Sequence, residues 1–256
     1  MRTNLLLLLC LFIAFSSCKD QSNSPVAAED TILKEVAALP EITSPDIIQE
    51  SFRKIEVELS PSNTNQTAKF TYSLDYFSDG KIKAIHEANN NLYRFDYQNS
   101  VLTIQNAEQT NKIKLTEKGL ADYNQGENSN TKYYFKNNFL VKRKDNLITD
   151  FQYSTNGNLM NYVGSNTKAE YQYTSYLNNI RQEVLSPQAV HWTFRDTYLG
   201  NFSTNLLQKA VFNRGKQDET TLDFSYTFDQ NNKVTKVIIQ RKAPSGSDTI
   251  TYSYSY

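Results

Sequence analysis

Residues 220–228 read Thr-Thr-Leu-Asp-Phe-Ser-Tyr-Thr-Phe, and this stretch decides the fold class. Leu222, Phe224, Tyr226 and Phe228 fall on one face of an extended chain, with Thr221, Asp223, Ser225 and Thr227 on the other. A helix would scatter both sets around its circumference; a strand separates them. The same period of two places Phe70, Tyr72, Leu74 and Tyr76 opposite Thr71, Ser73 and Asp75. It places Tyr93, Phe95 and Tyr97 opposite Arg94 and Asp96. At the far end it sets Ile250, Tyr252, Tyr254 and Tyr256 against Thr249, Thr251, Ser253 and Ser255. No comparably long apolar period of 3.6 occurs in this region.

Turn signals separate these strands. Asp79-Gly80 and Asn156-Gly157 predict type I′ hairpins, whose two central residues both need positive φ. Asn137-Asn138, Asn178-Asn179 and Asn231-Asn232 carry the same signal more weakly. Breaks recur every 8 to 15 residues or so, the rhythm of consecutive antiparallel hairpins rather than of βαβ units. An aromatic pair, a turn and an aliphatic strand repeat at 70–85, 151–163 and 224–238, and each such hairpin needs neighbours to cover its aromatic face. The expected fold is all-β: one domain over 51–256, an antiparallel meander of roughly 14 to 17 short strands, curled by twist into a barrel-like or folded-over shell.

Composition narrows the function classes. Lys+Arg 27 against Asp+Glu 27 gives a net charge of zero, without the basic surplus that nucleic-acid binding requires. A mean hydropathy of −0.60 excludes a helical membrane protein. Aromatic residues make up 12% of the chain, 17 of them Tyr, and supply the apolar face of the strands.

The N-terminus reads as an address. Met1-Arg2 precedes an apolar run from Leu5 to Phe15, about half the roughly 20 residues of a spanning helix and suited to a signal peptide. Phe15-Ser16-Ser17-Cys18 resembles the lipobox of bacterial lipoproteins, with Phe where that pattern prefers Leu. The resemblance implies a signal peptide over 1–17 and acylation of Cys18, two or three chains giving stable anchoring where one is marginal. The competing reading is cleavage after Ala14-Phe15-Ser16 and release of the protein. Cys10 lies inside the apolar run, so the mature chain has no second cysteine for a disulfide. Residues 18–50 read as a polar tether with a short helix over Asp30–Leu39, capped by Asp30 or Thr31 and ended by Pro40. Lys19-Asp20 loosely resembles a surface-export signal of Bacteroidota lipoproteins, leaving a periplasmic or a cell-surface location open.

Lipobox, spacer and repeated aromatic–turn–aliphatic hairpins together resemble the Bacteroidota lipoproteins of unknown function with a porin-like fold. The stretch Phe-Ser-Tyr-Thr-Phe-Asp-Gln-Asn-Asn-Lys-Val at 224–234 is also similar to YD-repeat proteins. The first resemblance covers about residues 50 to 256. It implies a large antiparallel barrel, outer-membrane association through the lipid, and no established activity. Some relatives in that family are described as lipid-binding.

No catalytic signature appears. His86 and His191 are the only histidines, and neither stands beside a nucleophile motif; no zinc, phosphate-loop or dinucleotide pattern is present. Asp218-Glu219 reads as solvated surface. The expectation is a non-enzyme with no cofactor and no metal. The terminal aromatic strand also resembles the closing strand of outer-membrane barrels, but such barrels need a continuous apolar outer belt. Lys132, Tyr134 and Lys136, like Val234, Lys236, Ile238 and Gln240, make mixed faces instead, so the aromatics are expected inside. There they either fill the core or line a cavity for a lipid or other amphipathic ligand. Tyr72, Tyr93, Phe95, Phe224, Tyr226, Tyr252 and Tyr254 are the inward-facing candidates. The alternative is a structural or adaptor lipoprotein with a filled core that binds another envelope protein or a glycan. For a glycan, Trp192 is the one tryptophan platform.

Overall fold

The computed structural model describes residues 25–47, 49–62, 66–87, 90–124, 130–187 and 197–256. Within them lie a helix, α1 (Pro25–Ala38), and sixteen strands. These are β1 (Lys54–Pro61), β2 (Ala68–Tyr76), β3 (Ile82–Glu87), β4 (Asn90–Gln98), β5 (Val101–Gln105), β6 (Thr110–Leu115), β7 (Ala121–Asn124) and β8 (Lys132–Lys136). They continue with β9 (Phe139–Lys144), β10 (Ile148–Tyr153), β11 (Leu159–Val163), β12 (Lys168–Leu177), β13 (Asn205–Phe212), β14 (Thr220–Phe228), β15 (Val234–Ala243) and β16 (Gly246–Ser255). Each strand pairs with its sequence neighbours, and β1 closes the barrel on β16 from Lys54↔Ser255 to Pro61↔Asp248. The fold is all-β, as the alternation at 220–228 requires.

Hairpin chemistry differs from expectation in an informative way. Asn137 and Asn138 have φ of 51° and 65°, and Asn99 and Ser100 have 51° and 59°, so among the described residues these two turns are the ones with paired positive φ. At Asp79-Gly80 and Asn156-Gly157 only the glycine is left-handed, at 81° and 79°. There the register shifts between Asp75 and Tyr76 and between Gln152 and Tyr153. These are bulged three-residue turns rather than type I′. A similar shift between Thr227 and Phe228 turns Val234 inward to pair with Phe228, so Val234 is buried and not on the face of Lys236.

Side-chain burial assigns the two faces of the wall. Ile55 and Val57 of β1, Val237 and Ile239 of β15, and Ile250 and Tyr252 of β16 are buried. The residues between them carry the outer charges and hydroxyls. Lys54 pairs with Glu56 at 2.6 Å, Lys69 with Glu58 at 3.0 Å, and Arg214 with Glu170 at 2.9 Å. A circular barrel of this strand number would enclose a ligand-sized space or channel. Yet Ile55, Ile85, Leu102, Ala121, Leu206, Leu222, Ile250 and Tyr252, spread over seven strands around the wall, are each 0% exposed. A hollow lumen would leave their inner sides open to water, so the interior behind them is filled and these side chains are core. These residues belong to one continuous buried cluster.

Residues 25–50 are not a free spacer. α1 starts at Pro25, five residues before the expected Asp30, and a proline in the first turn loses no helical hydrogen bond. Leu39 N–H donates to the Val36 carbonyl at 3.2 Å, and Pro40 bars another turn. The helix lies along the outside of β8 and β9. Ile32 and Val36 are buried against Tyr134, Phe139 and Val141, with Ile42 completing this second cluster. Glu29 reaches Lys132 at 2.6 Å, Glu35 reaches Lys142 at 3.2 Å, and Glu41 reaches Lys136 at 2.7 Å. The exposed pairs contribute below about 1 kcal/mol each, whereas burying Ile32 or Val36 contributes about 1.5–3 kcal/mol. Packing holds the strap; the charges set its register.

Candidate functional site: a plugged barrel mouth

Antiparallel order puts alternate turns at opposite ends of the barrel. The upper end carries the turns 77–81, 137–138, 154–158 and 229–233; the lower end carries 106–109, 145–147 and 213–219. After α1 the strap crosses the upper end. Ile42 N–H donates to Asn137 Oδ1 at 3.1 Å, Thr43 N–H to the Thr155 carbonyl at 2.8 Å, and Glu50 N–H to the Asn179 carbonyl at 2.8 Å. Lys233 then binds Glu50 at 2.8 Å before Phe52 enters the core.

In the long connection from β12 to β13, whose described residues are 178–187 and 197–204, the first part turns into this mouth. Asn178-Asn179 opens that connection instead of making the expected hairpin. Ile180 and Val184 are buried in the main cluster, and Asn178, Gln182 and Glu183 are buried with them. Arg181 takes a positive φ of 54°, turning the segment back on itself. Several of its polar groups are met by partners within the connection and on β12, β13 and β14. Asn178 Nδ2 donates to the carbonyls of Gln182 and Ser203 at 2.8 and 3.0 Å, and Asn178 Oδ1 accepts from Gln182 N–H at 2.8 Å. Gln182 Oε1 accepts from Leu207 N–H at 3.0 Å. Tyr226 Oη lies 2.6 Å from both Gln182 Oε1 and the Leu207 carbonyl. Tyr171 Oη donates to the Val184 carbonyl at 2.8 Å, and Tyr173 Oη donates to the Leu159 carbonyl at 2.7 Å. Burial pushes the phenols of Tyr171, Tyr173 and Tyr226 well above the usual tyrosine pKa, so they act as neutral donors.

The seven inward-facing candidates all sit on the interior face, but as wall and core rather than as one pocket. Tyr72, Phe95, Phe224, Tyr252 and Tyr254 are buried, while Tyr93 and Tyr226 are partly buried against the same cluster. Phe52 meets Tyr254 edge-on at 5.1 Å, and Tyr93 packs on Phe95 at 6.5 Å. Burial raises the Tyr252 and Tyr254 phenols as well. Sequence reasoning missed the plug residues Ile180, Gln182 and Val184. Their one signal was a polar stretch without clean alternation between two strong strands.

Other residues singled out from sequence hold structure. His86 faces outward on β3, its Nε2 3.0 Å from Asp75 Oδ2. Asp218 and Glu219 brace the 213–219 turn: Asp218 Oδ2 accepts from Asn213 Nδ2, and Glu219 Oε2 from Gly215 N–H, both at 2.6 Å. Cys18, Lys19-Asp20, His191 and Trp192 lie outside the described residues. Among the described residues no group of His, Cys, Asp and Glu is placed to hold a metal ion.

Two features remain where α1 meets the wall. A groove of about 700 Å³ runs beside α1, lined by Leu33, Val36, Leu120, Tyr133 and Phe135 among others. It lies at the seam between β7 and β8, whose register consists of the single pair Tyr123↔Lys132.

A closed sixteen-strand antiparallel barrel belongs to the porin-like class of folds. The chain is similar to a porin-like protein from Bacteroides uniformis, with a TM-score of 0.58 at 16% identity, covering 83% of this chain and 99% of that one. The shared property is the fold. No family model and no curated protein matches the chain.

Proposed function

We propose that the protein is a non-catalytic lipoprotein of the outer membrane, anchored through acylated Cys18, whose barrel is a solid body that binds another envelope protein. The observation that carries this reading is the packed interior: inward residues on seven strands are 0% exposed, and Ile180 and Val184 are buried in the upper mouth. Where these described side chains meet, no space of the several hundred cubic ångströms of a ligand pocket is left. The outer wall supports anchoring by lipid rather than by strands. Lys54, Glu56 and Glu58 on β1 and Thr249, Thr251 and Ser253 on β16 point where a spanning barrel needs an apolar belt.

Native mass spectrometry on the chain from Lys19 onward, purified without detergent, tests the solid-body reading. The expected result is the bare polypeptide mass. A stoichiometric adduct of lipid mass, lost on denaturation, would restore the ligand-carrying reading in its place. Metabolic labelling with a fatty acid tests the anchor: label is incorporated by the natural chain and lost in Cys18→Ser.

A further inference from the structure

We propose that the barrel stands on the lipid surface by its lower end, with the 145–148 hairpin tip in contact with the headgroups and the plugged mouth pointing away. This rests on the reading of Cys18 as the acylated residue. Three observations combine.

The first is the direction of the strap. α1 begins where Glu29 meets Lys132 at the lower end of β8, and its exit at Ile42 is bonded to Asn137 at the upper end. The ion pairs and the buried Ile32 and Val36 hold it there, so the point where the chain leaves the barrel wall is fixed at the lower end.

The second is length. Seven residue steps separate Cys18 from Pro25, and no conformation of the chain spans more than about 25 Å over them. The helix itself is about 21 Å long. The lower end therefore reaches the membrane with slack. The upper end could reach it only with those residues pulled straight back along the wall, at the full cost in chain entropy.

The third is the surface at that end. Leu147 is 57% exposed and Ile148 is 45% exposed, side by side at the tip after β9. Arg143 and Lys144 flank them, and Asp145 is bound to Arg143 at 3.3 Å, leaving the tip net positive. Two bare aliphatic side chains beside excess positive charge match an anionic bilayer interface. The same hairpin is tied to the strap, since Lys142 of β9 bridges Glu35 of α1 and Asp150 of β10.

The test uses the full lipoprotein in vesicles of phosphatidylcholine and phosphatidylglycerol that carry doxyl-labelled acyl chains. Cys10 leaves with the signal peptide and acylation blocks the Cys18 thiol, so an introduced cysteine is the one site for a fluorophore. Leu147→Cys reports the lower tip, Ile148→Cys is its replicate should the first variant misfold, and Asn231→Cys reports the upper 229–233 turn. The expected result is loss of fluorescence to the doxyl lipid at 147 and 148 and none at 231. Equal quenching at both ends, or quenching at 231 alone, would overturn the orientation. The mass of the mature chain separates the two ideas. Chains without acyl mass defeat the anchor and the orientation together, whereas acylated chains quenched at 231 defeat the orientation alone.

Discussion

Gly157 shows how one residue can join three segments. Its φ is +79°, and a Cβ built there would lie 2.6 Å from Thr204 Oγ1 of the plug connection, 2.8 Å from the Thr43 carbonyl of the strap and 2.9 Å from Phe139 Cζ. Gly119 has a similar φ of +74° with nothing within 4 Å. Gly119→Ala therefore incurs only the left-handed backbone cost of about 1–2 kcal/mol. Gly157→Ala adds a clash with backbone and should cost at least about 1 kcal/mol more, read as a larger drop in urea midpoint at unchanged slope. The plug supplies a second residue-scale prediction. Gln182→Leu leaves Leu207 N–H without its buried acceptor, a loss of about 1–3 kcal/mol in the same assay. The buried tyrosines predict the response to base. Tyr171, Tyr173, Tyr226, Tyr252 and Tyr254 have native pKa values raised above the unfolded value of about 10, so their stabilising effect is whole below that pH. It falls as pH rises past 10, because the unfolded chain ionises first. Tyrosinate absorbance should rise in two stages, exposed phenols gradually and buried ones together with unfolding.

At the scale of elements, the strap separates packing from charge. Ile32→Asp places a carboxylate in the cluster of Tyr134, Phe139 and Val141 and should release α1 while the barrel stays closed. Glu29→Gln, Glu35→Gln and Glu41→Gln combined should cost at most about 1–2 kcal/mol, since exposed pairs contribute little. Limited proteolysis between α1 and β1 distinguishes them, with rapid cleavage expected for Ile32→Asp and near-natural resistance for the triple variant. The contrast also explains what was legible in the sequence. Period-two alternation is local, so 220–228 appears as β14 with both faces as read. Turn conformation is not local. Asn156-Gly157 and Asn137-Asn138 differ in type because the first loop spans three residues between Ser154 and Asn158 and the second two between Lys136 and Phe139, a length set by the pairing of the strands and not by the dipeptide. The plug was hidden for the same reason: Ile180 and Val184 acquire an apolar role only once β12 and β13 bring a mouth around them. The acidic spacing of α1 has meaning only against the lysine row on β8 and β9.

Across the whole molecule, closure is uneven. β14, β15, β16 and β1 pair along nearly their full lengths, from Thr221↔Lys242 to Pro61↔Asp248. The β7–β8 seam has one register pair. Native-state hydrogen exchange should therefore find the slowest amides on β15 and β16 and the fastest strand amides on β7 and the facing edge of β8. Equal protection at both places would mean that the seam is not the point of opening. The closing pair β1–β16 carries a different consequence, one for biosynthesis. Lys54 finds Ser255 only after every intervening strand has been made, and contacts of such separation form slowly. A chain that crosses a membrane with its N-terminus leading emerges with β1 first, so one edge of β1 waits, unpaired and able to recruit foreign strands, until the last hairpin arrives. For a chain exported as proposed, the nascent sheet passes through an interval in which it needs a chaperone or a fast finish, and slowing the delivery of β16 should convert product into aggregate.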